Sequence, residues 1–442
     1  MPESGPPRIG VLSLHNSKET KAILNAVEDL GGEPAWLRAE NLAVRVREGR
    51  ASLDPDVDAV VNRMLLTNTE QPVEGLGLAA TVASLRPTLN PPTATLRAIH
   101  KFATAVTLAD AGIPVPDALL ALSAERLNRD RESFGEQAVY KTAIGTHGGG
   151  TWKVDFEEPI NPRVGHRYAF LQSLVESEGR ARDRRVYVVG DEIQGAMTRH
   201  APEGDWRTNV ALGGDVEDAT ADLTADAREM ALGAADALDL DYAGVDLIET
   251  ADGWSVLEVN PTAGFKGLFE ATGRSPAPYI AELAIERAGG EADDGRVREL
   301  SATLDDSVPA CKPRPSRVGR SEPAIIGYTE EVILSGTTGS ETVLAKSDTG
   351  AARTSIDTNV AAAIGAGPIQ RVTRVKSGSS KASKSRPVVD VVVGVGGDRH
   401  TVSASVEDRG HMEYPVLLGR DILENYQVDI SRRADEREET EE

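Results

Sequence analysis

The sequence predicts a multidomain chain: a parallel α/β domain, then an α+β region, then an all-β domain. Three observations carry this reading. Strands alternate with helical segments in the N-terminal part, the signature of a parallel sheet. From Ala138 to Pro261 strands and glycine-rich turns dominate, with a single helical interruption. From Ala324 onward the apolar residues run or alternate at strand spacing, around one short helix.

Arg8 to Leu14 suits a buried strand, and Ser17 to Leu30 an amphipathic helix closed by Gly31 and Gly32. Ala35 to Leu37 is a short strand, Asp58 to Asn62 another, and Pro72 to Leu85 a helix. The first strand–helix turn, Ser13 to Ser17, has no Gly-x-Gly-x-x-Gly, so a dinucleotide fingerprint is absent. Thr93 to Ala111 is expected to be one helix, stopped by Gly112, Pro114 and Pro116. It carries Lys101, and a lone Lys on such a helix is ordinarily solvated.

Ala138 to Val154 reads strand, glycine loop, strand, with Lys141 before the loop and Gly148, Gly149 and Gly150 within it. Glycines let backbone N–H groups close on phosphate oxygens, and a neighbouring Lys adds a cation. A plain flexible hairpin has the same composition, and no Gly-Lys-Ser/Thr follows, so this is not a Walker A loop. Tyr168 to Glu176, Arg185 to Val189 and Ile193 to Met197 are strands. Gly204 to Asn209 is a polar loop, and Leu223 to Leu238 is a helix.

Tyr242 to Glu249 and Trp254 to Asn260 are two apolar strands around a turn at Gly253. Glu258 and Asn260 are two apart and share a strand face, and a hairpin partner can bring Asp246 beside them. Such hard oxygen donors suit Mg²⁺ with bound phosphates and do not suit zinc. Taken alone, the same acids also fit a solvated hairpin in an acidic chain.

The net charge of −22 over 442 residues argues against nucleic acid or anionic membrane as the main partner. Abundant carboxylates, scarce Lys and few aromatics suggest adaptation to high salt, so the acidity identifies no partner. Cys311 is the single cysteine, which leaves no disulfide framework within one chain. No signal peptide and no membrane-length apolar run is evident, and a cytoplasmic location is expected. Pro276 to Ala288 is a helix. Gly289 to Pro323 is Gly-, Asp-, Ser- and Pro-rich and reads as a linker. The expected domains are 1–92, 93–290, a linker 291–322, 323–432 and an acidic tail 433–442.

From Arg8 to Gly290 the order of motifs resembles an ATP-grasp ligase of the RimK type. The pieces are Lys101 ahead of Gly112-Ile-Pro114, Lys141 with its glycine loop, Gln172-Ser173-Leu174, Asp183 to Asp191, Gly204 to Asn209, Gly244-Val-Asp246 and Glu258-Val-Asn260-Pro261. The resemblance implies an α/β pre-ATP-grasp domain followed by an α+β ATP-grasp fold, with ATP and Mg²⁺ (or Mn²⁺) as cofactors. It implies that Lys101, Lys141, Gly148 and Gly149 meet the phosphates and that the Ser173 and Leu174 backbone meets adenine. Glu176 or Asp183 would face the ribose. Arg207, Thr208 and Asn209 would work near the γ-phosphate, and Asp246, Glu258 and Asn260 would hold metal. The implied reaction joins a carboxylate to an amine through an acyl phosphate. The expected substrates are glutamate or another amino acid and a protein, peptide or small-molecule acceptor. Two places depart from the family pattern: Ser173 replaces the usual acid, and Pro261-Thr-Ala-Gly264 replaces a Ser-Pro-Gly loop.

Asp348-Thr-Gly350 and Tyr414 to Ile422 resemble a retropepsin-like barrel, of the class named for an ATP-dependent zinc protease. The resemblance implies Asp348 as a catalytic carboxylate. With one Asp-Thr-Gly per chain, cleavage would need a homodimer or higher homo-oligomer to pair two carboxylates. No His-Glu-x-x-His supports zinc. A barrel that only binds, or an ATP-regulated peptide hydrolase, are the other readings of this half.

Overall fold

The computed structural model describes residues 5–66, 72–145, 150–165, 167–175, 179–202, 206–208, 215–313, 324–367, 369–376 and 383–435. The chain divides into two compact units, Met1–Arg314 and Pro315–Glu442. Among the described residues no helix is long and apolar enough to cross a membrane.

In the first unit, Arg8–Leu12 is apolar after its first residue because both its faces are covered. It pairs in parallel with Glu33–Leu37 and with Ala59–Asn62, and the latter pairs with Thr88–Leu89. Alternate residues face opposite sides. Ile9, Val11, Ala59 and Val61 pack with the helices Lys18–Asp29 and Ala277–Arg287, whereas Leu12 and Val60 pack with Ala79 and Val82 of the helix Pro72–Ala83. Ser17 caps its helix by accepting from the Thr20 N–H at 3.0 Å. The return of Ala277–Arg287 to the N-terminal sheet puts Ile9 and Ile280 in one core.

A second sheet pairs Gln137–Thr142 with Thr151–Asp155 and with Arg167–Ser173, all antiparallel. A third runs Asp215–Asp218, Glu192–His200, Arg182–Val189, Tyr242–Thr250, Gly253–Asn260, antiparallel throughout. One face of the third sheet packs Val186, Val188, Val245 and Val259 against the alanines of the helix Ala225–Ala237. The other face is apolar at one end, where Tyr187, Val189, Met197 and Tyr242 join the core of the N-terminal sheet, and polar at the other, where Asp183, Arg185, Arg199, Asp246 and Glu258 form a floor.

Three features differ from expectation. The segment 93–111 is two helices, Pro92–Ile99 and Lys101–Asp110, broken at His100 in an extended conformation (ψ 92°). The His100 Nδ1 accepts from the Ala103 N–H at 3.1 Å and caps the second helix. A hairpin, Ala43–Arg47 with Arg50–Asp54, turns on Glu48 (φ 53°) and Gly49 (φ 75°), two left-handed residues as a type I′ turn requires. The expected linker is partly folded: Asp294–Ser301 is a helix capped by Asp293, Val297 is buried, and Leu304 and Cys311 pack on the first unit's core. The Asn25 amide donates to the carbonyls of Asp305 and Ser307, both at 3.2 Å. A few anchoring side chains order this stretch without a repeating apolar pattern.

The second unit is a closed β-barrel. Its strands run Thr329–Ser335, Ser340–Ser347, Val416–Leu418, Ser355–Asp357, Asp398–Glu407, Ser383–Val395, and the last pairs back with the first. Ile369–Lys376 extends the sheet beyond Ser383–Val395. Ala324–Gly327 pairs in parallel with Tyr426–Asp429.

Candidate active site

The polar face of the third sheet is assembled by register. Asp246 lies directly opposite Glu258 on one side and Arg185 on the other, and Asn260 lies opposite Gly244. A bulge after Asp246 lets Val256 and Val259, three apart, both face the apolar side while Glu258 and Asn260 keep the polar face. A Cβ on Gly244 would sit 2.6 Å from the Ala263 Cβ, so the chain after Asn260 can fold back over the hairpin only above glycine. Asn90 fixes that fold-back, donating from Nδ2 to the carbonyls of Tyr242 and Pro261, both at 2.9 Å. The Tyr187 hydroxyl donates to the Gly264 carbonyl.

Charges alternate across this face. Arg185 grips Asp246 with two bonds of 2.6 and 2.7 Å, and Arg199 grips Asp183 with two of 2.6 Å. Arg199 also reaches Asp246 at 2.9 Å. Such a buried network holds only while every member is present, because removing one leaves a buried charge uncompensated. Asn260 Nδ2 lies 3.2 Å from Glu258 Oε1 and 3.4 Å from Asp246 Oδ2. Lys101 forms an ion pair with Glu258. Burial would raise the Glu258 carboxyl, but Lys101, then Lys141 and Arg185, hold it well below the usual carboxylate range. Burial, and then repulsion from Lys101, pull the Lys141 ammonium down to about 8.

These groups line a cleft of about 1540 Å³ between the second and third sheets. Among the described residues it carries ten Lys and Arg side chains against five carboxylates, in a chain of net charge −22. Lys101, Lys141, Ser173, Leu174, Asp183, Arg207, Thr208, Asp246, Glu258 and Asn260 all line it. Gly148, Gly149, Glu176 and Asn209 lie outside the described residues. Asp348 belongs to the second unit.

One expectation is corrected here. Lys101 is not on the solvated face of a continuous helix: the break at His100 makes it the first residue of the second helix. Its N–H donates to the Ala143 carbonyl at 2.8 Å and its ammonium turns into the cleft. Asp183 lines the cleft with its carboxylate already bonded: Arg199 meets both its oxygens, and the Thr208 hydroxyl donates to it as well. The Ser173 N–H is likewise committed, to the Asp117 carbonyl at 2.8 Å. Arg185 and Arg199 were given no role by sequence reasoning. The signal for Arg199 was a cation ending a strand that is otherwise buried.

Anion and metal binding can be tested on the donors present. The cation excess suits a polyphosphate. The Thr142 hydroxyl, buried without a partner at the strand end before the glycine loop, is an orphaned donor there. Two carboxylates and one amide oxygen are hard donors of the kind Mg²⁺ takes.

In the second unit Asp348 follows the strand Ser340–Ser347. Its Oδ1 accepts the N–H of Gly350 at 2.9 Å and of Ala351 at 3.2 Å. Arg420 donates to the carbonyls of Thr349 and Gly350 at 3.1 and 3.2 Å, and Asp421 accepts from Thr354. The turn is therefore held from below by the Leu418-Gly-Arg-Asp421 segment.

Comparison with known proteins fits both halves. The profile of the RimK-like ATP-grasp domain matches residues 98–282, and that of the retropepsin-like aspartic endopeptidase RimB matches residues 361–439. The tetrahydromethanopterin:alpha-L-glutamate ligase of Methanocaldococcus jannaschii is 35% identical over 209 residues, 45% of this chain and 70% of that protein. The probable alpha-L-glutamate ligase 2 of Hahella chejuensis is 30% identical over 295 residues, 63% of this chain and 95% of that protein. Among solved structures, the ATP-grasp ligase PsnB, complexed with a phosphomimetic variant of its minimal precursor, Mg and ADP, has a TM-score of 0.51 at 21% identity. That likeness covers 63% of this chain and 98% of PsnB, and shows the shared fold.

Proposed function

The chain belongs to the RimK-like ATP-grasp family, and from that premise we propose that it adds glutamate to the carboxylate of a peptide or protein acceptor at the expense of ATP. ATP-grasp ligases use ATP and Mg²⁺ to join a carboxylate to an amine. The observation that carries the reading is the concentration of cations in one cleft of a strongly acidic chain. The names of the relatives favour glutamate as the amine.

The chain's own residues fit the parts of that reaction. Lys101 and Lys141 neutralise phosphate oxygens, and Arg207 suits the transferred phosphoryl group or the carboxylate. Asp246, Glu258 and Asn260 would hold Mg²⁺, which supplies positive charge against the phosphates when bound. Arg185 and Arg199 fix the Asp246 carboxylate in place. The acceptor carboxylate attacks the γ-phosphorus and releases ADP. The amine then attacks the acyl phosphate carbon, and inorganic phosphate leaves. The protein's work is to position and neutralise, so it needs no nucleophile of its own.

The test is ADP release by the purified chain with Mg–ATP, a panel of amino acids, and peptide or small-molecule acceptors. Glutamate-dependent release with a glutamylated product supports the reading. Release that no amino acid stimulates rejects it. A product formed only on a small metabolite would move the acceptor to that class, as the name of the M. jannaschii relative allows.

A second reading concerns the barrel. The Asp348-Thr-Gly350 turn, with the Gly350 and Ala351 N–H groups donating to one Asp348 oxygen, supports reading it as half of an aspartic-protease site, and two chains together would then cleave a peptide bond.

A further inference from the structure

Arg63 follows the strand Ala59–Asn62 and is 2% exposed. It lines the cleft with Glu19, Thr262 and Gly264. Its guanidinium lies over the Phe265 ring, 5.3 Å from the centroid, and Nη2 donates to the Thr262 carbonyl at 3.4 Å, a long bond. Nε and Nη1 are buried without a hydrogen-bond partner of normal geometry, although the guanidinium also lies against the Tyr242 hydroxyl. Among the described residues no carboxylate pairs with it. Two other arginines of the cleft, the half-buried Arg185 and the buried Arg199, are both paired, Arg185 with Asp246 and Arg199 with Asp183 and Asp246. A buried guanidinium with idle donors and no counter-charge is costly to the free protein. The cost is recovered where a ligand brings the missing anion.

We infer that Arg63 binds a carboxylate of the incoming amino acid, which reacts through its amine and keeps its carboxylates intact. The inference rests on the ligase reading. A carboxylate that becomes an acyl phosphate gives one oxygen to the new O–P bond, and its charge moves out onto the phosphoryl oxygens, so a guanidinium fitted to both carboxylate oxygens would lose that match at that moment. A carboxylate carried through unchanged keeps the pair at every step. The surroundings agree. Glu19, on the same lining, accepts only a 3.4 Å contact from the Phe265 N–H and offers an acceptor to an ammonium group. His15 is held below its usual value by burial and then by the Arg63 charge, so it does not compete for the anion near neutral pH. Thr262 and Gly264 follow Asn260 directly, which puts this subsite beside the proposed metal position.

The experiment is calorimetric titration of glutamate, glutamine and isoglutamine into the full chain saturated with Mg–AMPPNP, for wild type, Arg63→Met and Arg63→Lys. Wild type should bind glutamate and lose roughly 30-fold or more when one of the two carboxylates is amidated. Arg63→Met should lose about as much for glutamate and no longer distinguish that amide from the acid. Arg63→Lys should fall between. AMPPNP affinity should stay within about 2-fold, and the melting temperature of the free variant should not fall, because an uncompensated charge has been removed. A structural Arg63 would instead show a lower melting temperature and equal losses for all ligands, which would overturn the assignment. Retained glutamate affinity with loss of binding to the dipeptide glutamyl-glutamate would overturn it too, moving Arg63 to the acceptor. A wild type that binds no carboxylate amino acid, yet releases ADP with another amine, refutes the subsite and leaves the ligase reading standing. If no amine drives ADP release, it is the ligase reading that fails.

Discussion

Lys141 ends a strand beside Lys101, and burial together with that neighbour's charge brings its ammonium down to about 8. Bound phosphates would favour the charged form and raise that value, so nucleotide binding takes up a proton at alkaline pH. The sign follows: affinity is full below about pH 8 and falls as pH rises through the free-state value, by up to about 10-fold per unit. Titrations of AMPPNP with Mg²⁺ across that range should show the decline, and Lys141→Arg, which stays charged, should flatten it. A flat wild-type profile would remove Lys141 from the phosphate site. Glu258 is the opposite case, held ionised by Lys101, Lys141 and Arg185. Glu258→Gln keeps the shape and removes the charge that a metal ion needs. ADP release should drop on the order of 100-fold or more, with circular dichroism unchanged. Wild-type turnover by the variant would show that the acidic triad holds no metal.

At the scale of elements, the acidic hairpin was legible because its cues are local: two apolar runs, Gly253 between them, and acids spaced two apart. The helix break at His100 was not, since neither Gly nor Pro marks it and the cap is a histidine. The hairpin at Glu48-Gly49 was missed for a similar reason: a Glu seldom takes the first left-handed position of such a turn. Arg199 left a cue in the sequence, a cation near the end of a buried strand, but its role did not show there, because its partners come from two other strands and depend on register. Arg63 was illegible because its meaning lies in partners it lacks. Gly244 was quoted as part of a motif, but only the structure shows why it is glycine. Gly244→Ala should push against Ala263, lift the chain that follows Asn260, and destabilise by about 1–3 kcal/mol. Adding Ala263→Gly should restore most of that loss in denaturant titrations. If the double variant is no more stable than the single one, the contact is not the cause.

At the scale of the whole chain, a RimK-like ATP-grasp domain and a RimB-like retropepsin-like barrel are joined in one polypeptide. Two sites on one chain would meet a common polypeptide substrate at high effective concentration, which would favour related chemistry in the two halves. The arrangement we propose is opposition: the first unit would make an amide bond and the barrel would cut a related one. Asp348 is a single carboxylate held by its own turn, so on this proposal cutting would require a second chain to supply the other. Paired carboxylates share one proton, and cleavage should therefore be bell-shaped in pH and rise with chain concentration as dimers form. Asp348→Asn should abolish cleavage and leave glutamate-dependent ADP release unchanged, and in cells the modified product should accumulate. If a concentrated, dimeric wild type cleaves neither the ligation product nor generic peptides at any pH, the barrel is a binding module and the opposition does not exist.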